Sequence, residues 1–244
     1  MSQFTSEEKE AMKAEAGIAA CAFVSSGMQI GIGTGSTVKY TILELGRRIR
    51  EEGLEISGIP TSDATEKLSI EQGIPMLDWE NCNHLDLVID GADEVDPSWR
   101  LTKGGGAALL TEKILAVASD RYAIVVDESK LVDRLGERHP LPVEVVPDAL
   151  TVVQRALLDL GIDGIVREAV RKAGPVITDH GNLIIDAKLV RYFDPEEIEL
   201  SLATVPGVVC VGIFTRPVDD LFVGWTNKKI TRYRPGEDAH AQRR

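Results

Sequence analysis

Twice in the first 75 residues a short apolar run leads through a loop of small residues into a helical pattern. MQIGIGTGSTVKYTILELGRRIREEG reads as strand, tight glycine loop and helix, and LEISGIPTSDATEKLSIEQG repeats the pattern. HLDLVID and RYAIVVD supply two more strands, with the apolar helical segment ALLTEKILAVA between them. Strands alternating with helices predict a parallel sheet covered by helices. A helix over residues 5 to 24 comes first: Thr5 and Glu8 have capping-box spacing, and Ile18, Cys21, Ala22 and Phe23 supply an apolar stripe. In the second unit Asp63 and Glu66 have cap spacing, so Thr61 to Thr65 reads mainly as a helix start.

From about Leu141 the texture changes. LPVEVVP reads as a strand and DALTVVQRALLDLG as a helix. Two β-like runs follow, near Ile165 to Val170 and Val176 to Leu189, with a turn at His180-Gly181-Asn182 inside the second. DPEEIELSLATVPG gives another helix and VVCVGIF another strand, so the order is the β-α-β-β-α-β of a ferredoxin-like unit. Residues 137 to 213 are therefore expected to form a smaller inserted domain, with 1 to 136 and 214 to 244 forming the larger one. LFVGWTNKKITRY is expected to return to the main sheet, and the last ten residues to lack fixed structure.

Three stretches carry candidate chemistry. In KGGGAALLTEK, Gly104, Gly105 and Gly106 let backbone N–H groups approach a ligand, and the helix that follows points its positive end the same way. Glu112 has Ala108, Leu109, Leu115 and Ala116 three and four residues away, so it projects from an apolar face, as a general base working near neutrality would. The plainer reading is a glycine turn and a core helix whose Glu112 pairs with a cation. In GIGTGSTVKY, Gly31, Gly33 and Gly35 alternate, but the last glycine of a dinucleotide fingerprint would fall at Ser36, and no P-loop Gly-Lys follows. Backbone N–H groups and two hydroxyls at a helix start suit a single phosphate, where a mere turn would not need the hydroxyls. In DGADEVD, Asp90 falls where a strand ends, which is where open parallel sheets bind ligands. Asp90, Asp93, Glu94 and Asp96 fit a solvated acidic turn, a hard-metal site or carboxylates that bind sugar hydroxyls and shuttle protons; the spacing matches no EF-hand. Lys130, just past the strand ending at Asp127, could attract an anion, and Lys13 reads as solvated surface.

The net charge of −12 disfavours binding to nucleic acid or to anionic membranes. Cys21, Cys82 and Cys210 show no CxxC spacing, so reduced, buried thiols in a cytoplasmic protein are expected, without zinc. No apolar run reaches the roughly 18 residues of a membrane span, and the opening residues do not resemble a signal peptide.

GIGTGSTVKY, DGADEVD, KGGGAALLTEKI, DESKLV and LPVEVVP, in this order and spacing, resemble the A-type ribose-5-phosphate isomerase family. The resemblance implies a Rossmann-like, mostly parallel sheet with helices on both faces beside the smaller α+β domain. It also implies interconversion of ribose 5-phosphate and ribulose 5-phosphate in the non-oxidative pentose phosphate pathway, without metal or organic cofactor, by a homodimer or homotetramer. Glu112 matches the family's catalytic base, and Asp90, Asp93 and Lys103 match its other active-site residues. Thr34, Gly35, Ser36 and Thr37, then Asp90, Gly91, Ala92 and Asp93, then Lys103, Gly104, Gly105, Gly106 and Lys130 match its substrate contacts. Lys13 is aligned with a lysine near the phosphate through AGIAA alone, and Trp225 to Lys229 follow no recognised pattern. Two rivals are a sugar-phosphate sensor of the same fold, which would need no base on an apolar helix, and a nucleotide-dependent oxidoreductase, which lacks its third glycine here.

Overall fold

The computed structural model describes residues 4–82, 84–170, 173–189, 193–227 and 229–241. In chain order the strands are β1 (Gln29–Ile32), β2 (Ser57–Pro60), β3 (Leu87–Asp90), β4 (Glu94–Val95), β5 (Leu101–Thr102), β6 (Tyr122–Asp127) and β7 (Leu141–Val145). After them come β8 (Asp163–Val166), β9 (Leu183–Lys188), β10 (Val208–Val211), β11 (Ile213–Phe214), β12 (Asp220–Gly224) and β13 (Ile230–Tyr233). The helices are α1 (Ser6–Ala20), α2 (Val38–Glu52), α3 (Asp63–Glu71), α4 (Leu109–Ala118), α5 (Leu150–Asp159) and α6 (Pro195–Ala203). Two compact units emerge: Met1–Ala92, Ile114–Leu131 and Pro217–Arg244 form one, and Asp93–Lys113 with Val132–Arg216 form the other.

The first unit is built on a six-stranded sheet of order β13-β12-β6-β3-β1-β2, parallel except for β13. From β1 the chain goes outward to β2, then returns to add β3 on the other side, so the strand order reverses at β1/β3. Open α/β sheets bind ligands at the carboxyl ends of the strands flanking such a switch point. Ile30 and Ile32 of β1 join a core with Ala16 and Ala20 of α1 and Val38, Ile42 and Leu45 of α2. Gly31 points to the opposite face, where a Cβ would lie 2.4 Å from Val88 and 3.4 Å from Leu115 of α4. Helices therefore cover both faces.

Thr5 and Glu8 form the expected capping box. Of the expected stripe, Cys21 is buried and Phe23 packs against the core, whereas Ile18 is 46% exposed and Ala22 is also exposed; Met12, Ala16 and Ala20 are also buried on α1's inner face. Ala16 and Ala20, small side chains at i and i+4, let α1 lie close to its neighbours. Ser62, not Asp63, caps α3 by accepting from the Thr65 N–H. The tail does return to the sheet as β12 and β13, and of the described part of the last ten residues Ala239 and His240 are buried while residues 235–238 and Ala241 are exposed.

The second unit contains a four-stranded antiparallel sheet of order β10-β7-β9-β8, with α5 and α6 as the connections after β7 and β9. That is the ferredoxin-like strand arrangement. Its core includes Val143, Val145, Leu157, Ile185 and Leu202. Ile177 bridges Leu183 across the expected turn, closed by Thr178 N–H to Asn182 O at 2.9 Å. VVCVGIF is two strands rather than one, because Gly212 interrupts it. A Cβ on Gly212 would sit 2.5 Å from the Lys103 carbonyl oxygen, and the Lys103 N–H donates to the Gly212 carbonyl at 2.9 Å. Beyond this break β11 joins β5 and β4 in a second, three-stranded sheet. No helix among the described residues is long and apolar enough to cross a membrane.

Candidate active site

In the first unit, β1 ends at the switch point and passes directly into the Gly33–Thr37 loop. Any Cβ at Gly33 would meet the Asp90 carboxylate, with 2.0 Å to Oδ1. Only glycine allows Asp90, fully buried at the end of β3, to lie against this loop and accept from Thr34 N–H at 3.2 Å and Gly91 N–H at 2.7 Å. The Thr34 hydroxyl sits within 2.6 Å of Thr61, 2.7 Å of Ser62 and 3.0 Å of Thr65, so it ties the loop to the start of α3. Gly35, with φ of 132°, lets the chain turn into α2. Thr37 occupies the N-cap of α2 without a side-chain capping bond, and Ser36 is exposed, so neither hydroxyl is committed to the helix end. Hydroxyls left in this state at a helix start favour an anion, although the Lys39 and Tyr40 N–H groups already donate to the Gly35 and Thr37 carbonyls at 3.1 Å.

Lys130 closes a 3-10 turn after β6 that is capped by Asp127, and it forms no ion pair among the described residues. Glu128 in the same turn accepts from Thr226 N–H at 2.8 Å, which gives Trp225 to Lys229 a structural role; Lys228 lies outside the described residues. Lys13 is paired with Glu10 at 2.8 Å, and Glu10 also accepts from the Tyr40 hydroxyl at 2.7 Å. The Lys13 hydrogen bond, followed by that of Tyr40, holds the Glu10 carboxyl below its ordinary range.

The second unit holds the lysine, the three glycines and Glu112. Lys103 is 2% exposed and Glu112 is 4% exposed, and the Lys103 Nζ stands 3.4 Å from Glu112 Oε1. Glu112 is on a buried face and pairs with a cation, namely the lysine of the same motif, a geometry common to the general-base reading and to the plainer one. Taking a lone charge out of water costs several kcal/mol, about as much as a close partner recovers. The ring of Phe214 lies 5.7 Å from Lys103 Nζ and 4.6 Å from Lys113 Nζ. Lys113 donates to the carbonyls of Val211 and Ile213, each at 2.8 Å, and to Glu199. The first turn of α4 is thereby pinned to the β10–β11 junction. Asp93 accepts from Gly105 N–H at 2.7 Å, and Gly104 and Ala107 take φ of 103° and 61° as the loop swings into the helix. A left-handed alanine is uncommon, and such strained positions gather where a site over-determines its backbone.

A sequence profile of ribose 5-phosphate isomerase A (phosphoriboisomerase A) matches residues 57–228. The ribose-5-phosphate isomerase A of Methanosarcina acetivorans is 50% identical over 212 residues, covering 87% of this chain and 89% of its own. This chain belongs to the ribose 5-phosphate isomerase A family. Among solved members, ribose 5-phosphate isomerase A from Methanocaldococcus jannaschii is 44% identical with a TM-score of 0.88, covering 93% of this chain and 99% of that one. A D-ribose-5-phosphate isomerase in complex with phospho-erythronic acid is 41% identical with a TM-score of 0.89, covering 92% and 98%.

Within this family member the four acids of DGADEVD part company. Glu94 is buried and accepts from the backbone N–H groups of Gly136, Arg138 and His139 at 2.5, 2.6 and 3.0 Å. Asp96 is buried against Arg100, whose Nε lies at 2.7 Å, and its Oδ1 accepts from Ser98 and Arg100 N–H. Neither is a solvated turn residue; both hold the chain around the β4–β5 hairpin, an element with no period to announce it. Among the described residues, the group of side chains close enough to share an ion is His84, Asp86 and Asp120, which includes none of these four. The stretch Thr61 to Thr65, read from sequence mainly as a helix start, supplies three hydroxyls around Thr34, and residues the sequence did not single out include Lys113 and Arg167. Only the TEK of the KGGGAALLTEK motif gave any hint of one of them, Lys113.

Proposed function

We propose that this chain interconverts ribose 5-phosphate and ribulose 5-phosphate in the non-oxidative pentose phosphate pathway, with Glu112 as the base. In the forward direction the base removes the C2 proton of the open-chain aldose and returns it to C1. The O2 hydroxyl proton passes to O1, so atoms and charge balance with no co-reactant. The developing enediolate needs hydrogen-bond donors in a site shielded from water, each worth about 3–4 kcal/mol when well aligned. Lys103 and the N–H groups of Gly104 and Gly106 take this role, while the Gly105 N–H is held by Asp93. Asp90 and Asp93, with Gly91 and Ala92 between them, serve ring opening, hydroxyl orientation and proton relay. Thr34 to Thr37 hold the phosphate, and Lys130 adds positive charge for it, so that remote binding energy positions the reacting carbons. A cytoplasmic homodimer or homotetramer belongs to the same proposal, and sedimentation of the purified protein separates the two.

The observation that carries the reading is the buried Glu112 carboxylate 3.4 Å from the Lys103 ammonium at the end of a glycine run, in a member of this family. The test is proton exchange in D₂O with chelator present. Ribose 5-phosphate recovered from the wild type should carry deuterium at C2. Glu112→Gln should leave it unlabelled while still binding phospho-erythronic acid. Labelling at the wild-type rate by E112Q would remove Glu112 from the role, and binding without turnover by the wild type would favour the sensor.

A further inference from the structure

We infer that Arg167 is a positioning residue for this isomerisation: it sets the direction in which the Gly105 and Gly106 N–H groups point. The inference rests on the proposed isomerase reading. Arg167 follows β8, and its backbone is fixed on both sides, N–H to Ile184 O and O from Val176 N–H, each at 2.8 Å. Its Nη1 donates to the carbonyl oxygens of Gly104 at 2.8 Å and Gly105 at 3.1 Å. The other edge of the guanidinium grips Asp186 on β9, Nε to Oδ2 at 2.9 Å and Nη2 to Oδ1 at 2.5 Å. Asp186 is itself in register between Pro142 of β7 and Ile165 of β8, so the brace is anchored in the interior of a sheet.

In a trans peptide the C=O of one residue and the N–H of the next point in opposite directions. Turning the Gly104 and Gly105 carbonyls to the guanidinium therefore sends the Gly105 and Gly106 N–H groups the other way. The Gly105 N–H is found where this demands, on Asp93 at 2.7 Å. Gly106 is exposed, and its N–H makes no hydrogen bond among the described residues, so it is the donor left for substrate. Glycines resist rotation about φ and ψ poorly, and three in a row hold one orientation only if something outside the loop enforces it. Arginine can do this where lysine cannot, because two carbonyls and a bidentate carboxylate need a planar fork with donors on both edges. Asp186 neutralises the guanidinium, so the pair acts on geometry and adds no net charge at the reacting atoms.

The experiment compares steady-state kinetics of the wild type, R167A and R167K on ribose 5-phosphate, with and without added guanidinium. A surface cavity of about 580 Å³, lined by Arg167, Asp186, Ile165 and Lys188 among others, gives a free guanidinium ion access to the vacated place. R167A should lose about 100-fold in kcat, the size expected for a misplacement of about 1 Å, with KM changed less than about threefold. R167K should not recover the loss, and millimolar guanidinium should restore part of R167A activity while methylammonium does not. Should R167A fail to fold, R167K carries the same kcat-against-KM comparison. An active wild type with R167A and R167K within about twofold of it overturns the inference and leaves the isomerase reading standing. An inactive wild type overturns both.

Discussion

Glu112→Ala removes the carboxylate from 3.4 Å of an ammonium that is only 2% exposed, so the variant should be unstable as well as inactive. Breaking a buried ion pair by deleting one partner costs about 3–5 kcal/mol, because the survivor stays desolvated. For a chain of this size each kcal/mol moves the midpoint by roughly 2–4 °C, so thermal unfolding should fall by about 6–20 °C. Removing the ammonium as well, in K103M/E112A, should restore part of the loss, since the lysine charge no longer faces the deleted carboxylate, while the truncated side chain still leaves a cavity. E112Q keeps an acceptor and the volume, and should fall between wild type and E112A. Turnover should follow a different order: all three variants should lose about 10²- to 10⁴-fold in kcat, the range for a general base. Urea unfolding followed by tryptophan fluorescence, beside an assay for ribulose 5-phosphate, separates the two orders. If E112A lies within about 1 kcal/mol of wild type, or K103M/E112A is no more stable than E112A, the pair does not carry the charge balance argued for it.

Gly33→Ala drives a methyl group into the Asp90 carboxylate, 2.0 Å from Oδ1, and should lower kcat by tenfold or more while circular dichroism stays native; normal kinetics would show that Asp90 can move at no cost. Lys113→Met strips three acceptors of their donor and should cost about 2–3 kcal/mol in urea unfolding, with a smaller kcat loss than at Glu112. Burial pushes the Cys21 and Cys210 thiols up to about 12, whereas Cys82 is half-buried, so Ellman's reagent at pH 8 should titrate one thiol in the native protein and three after unfolding. Raised folded-state values also mean that the folded chain holds protons the unfolded chain releases. The contribution is fully present below the ordinary thiol range near 9 and is lost as pH rises towards 12, so Cys21→Ala should flatten the alkaline arm of the stability profile.

Where a residue's role is set by its near neighbours, the sequence could be read directly. Periodicity marked the parallel strands and their helices, Thr5 and Glu8 marked the start of α1, and the strand–helix order marked the β10-β7-β9-β8 sheet. Glu112 was visible because its apolar neighbours lie within one turn of it. Roles that depend on distant partners were not visible. Glu94 looks like a surface acid until the N–H groups of residues 136 to 139 close over it, and Arg167 looks like any arginine until Gly104 and Gly105 turn their carbonyls to it. Of the stripe expected for the first helix, Cys21 and Phe23 meet the core while Ile18 and Ala22 do not, because close packing turns Ala16 and Ala20 inward in their place.

Lys113 and the carbonyl of Ile213 are 100 residues apart in sequence, and their bond holds the turn that carries Glu112. Joining such remote segments is slow compared with forming the helices themselves. A ribosome-bound chain that has not yet released β11 therefore lacks the contact that holds Glu112, the proposed base, in place, whatever helical content it has reached. On dilution from denaturant, catalysis should return after the far-ultraviolet signal has already recovered.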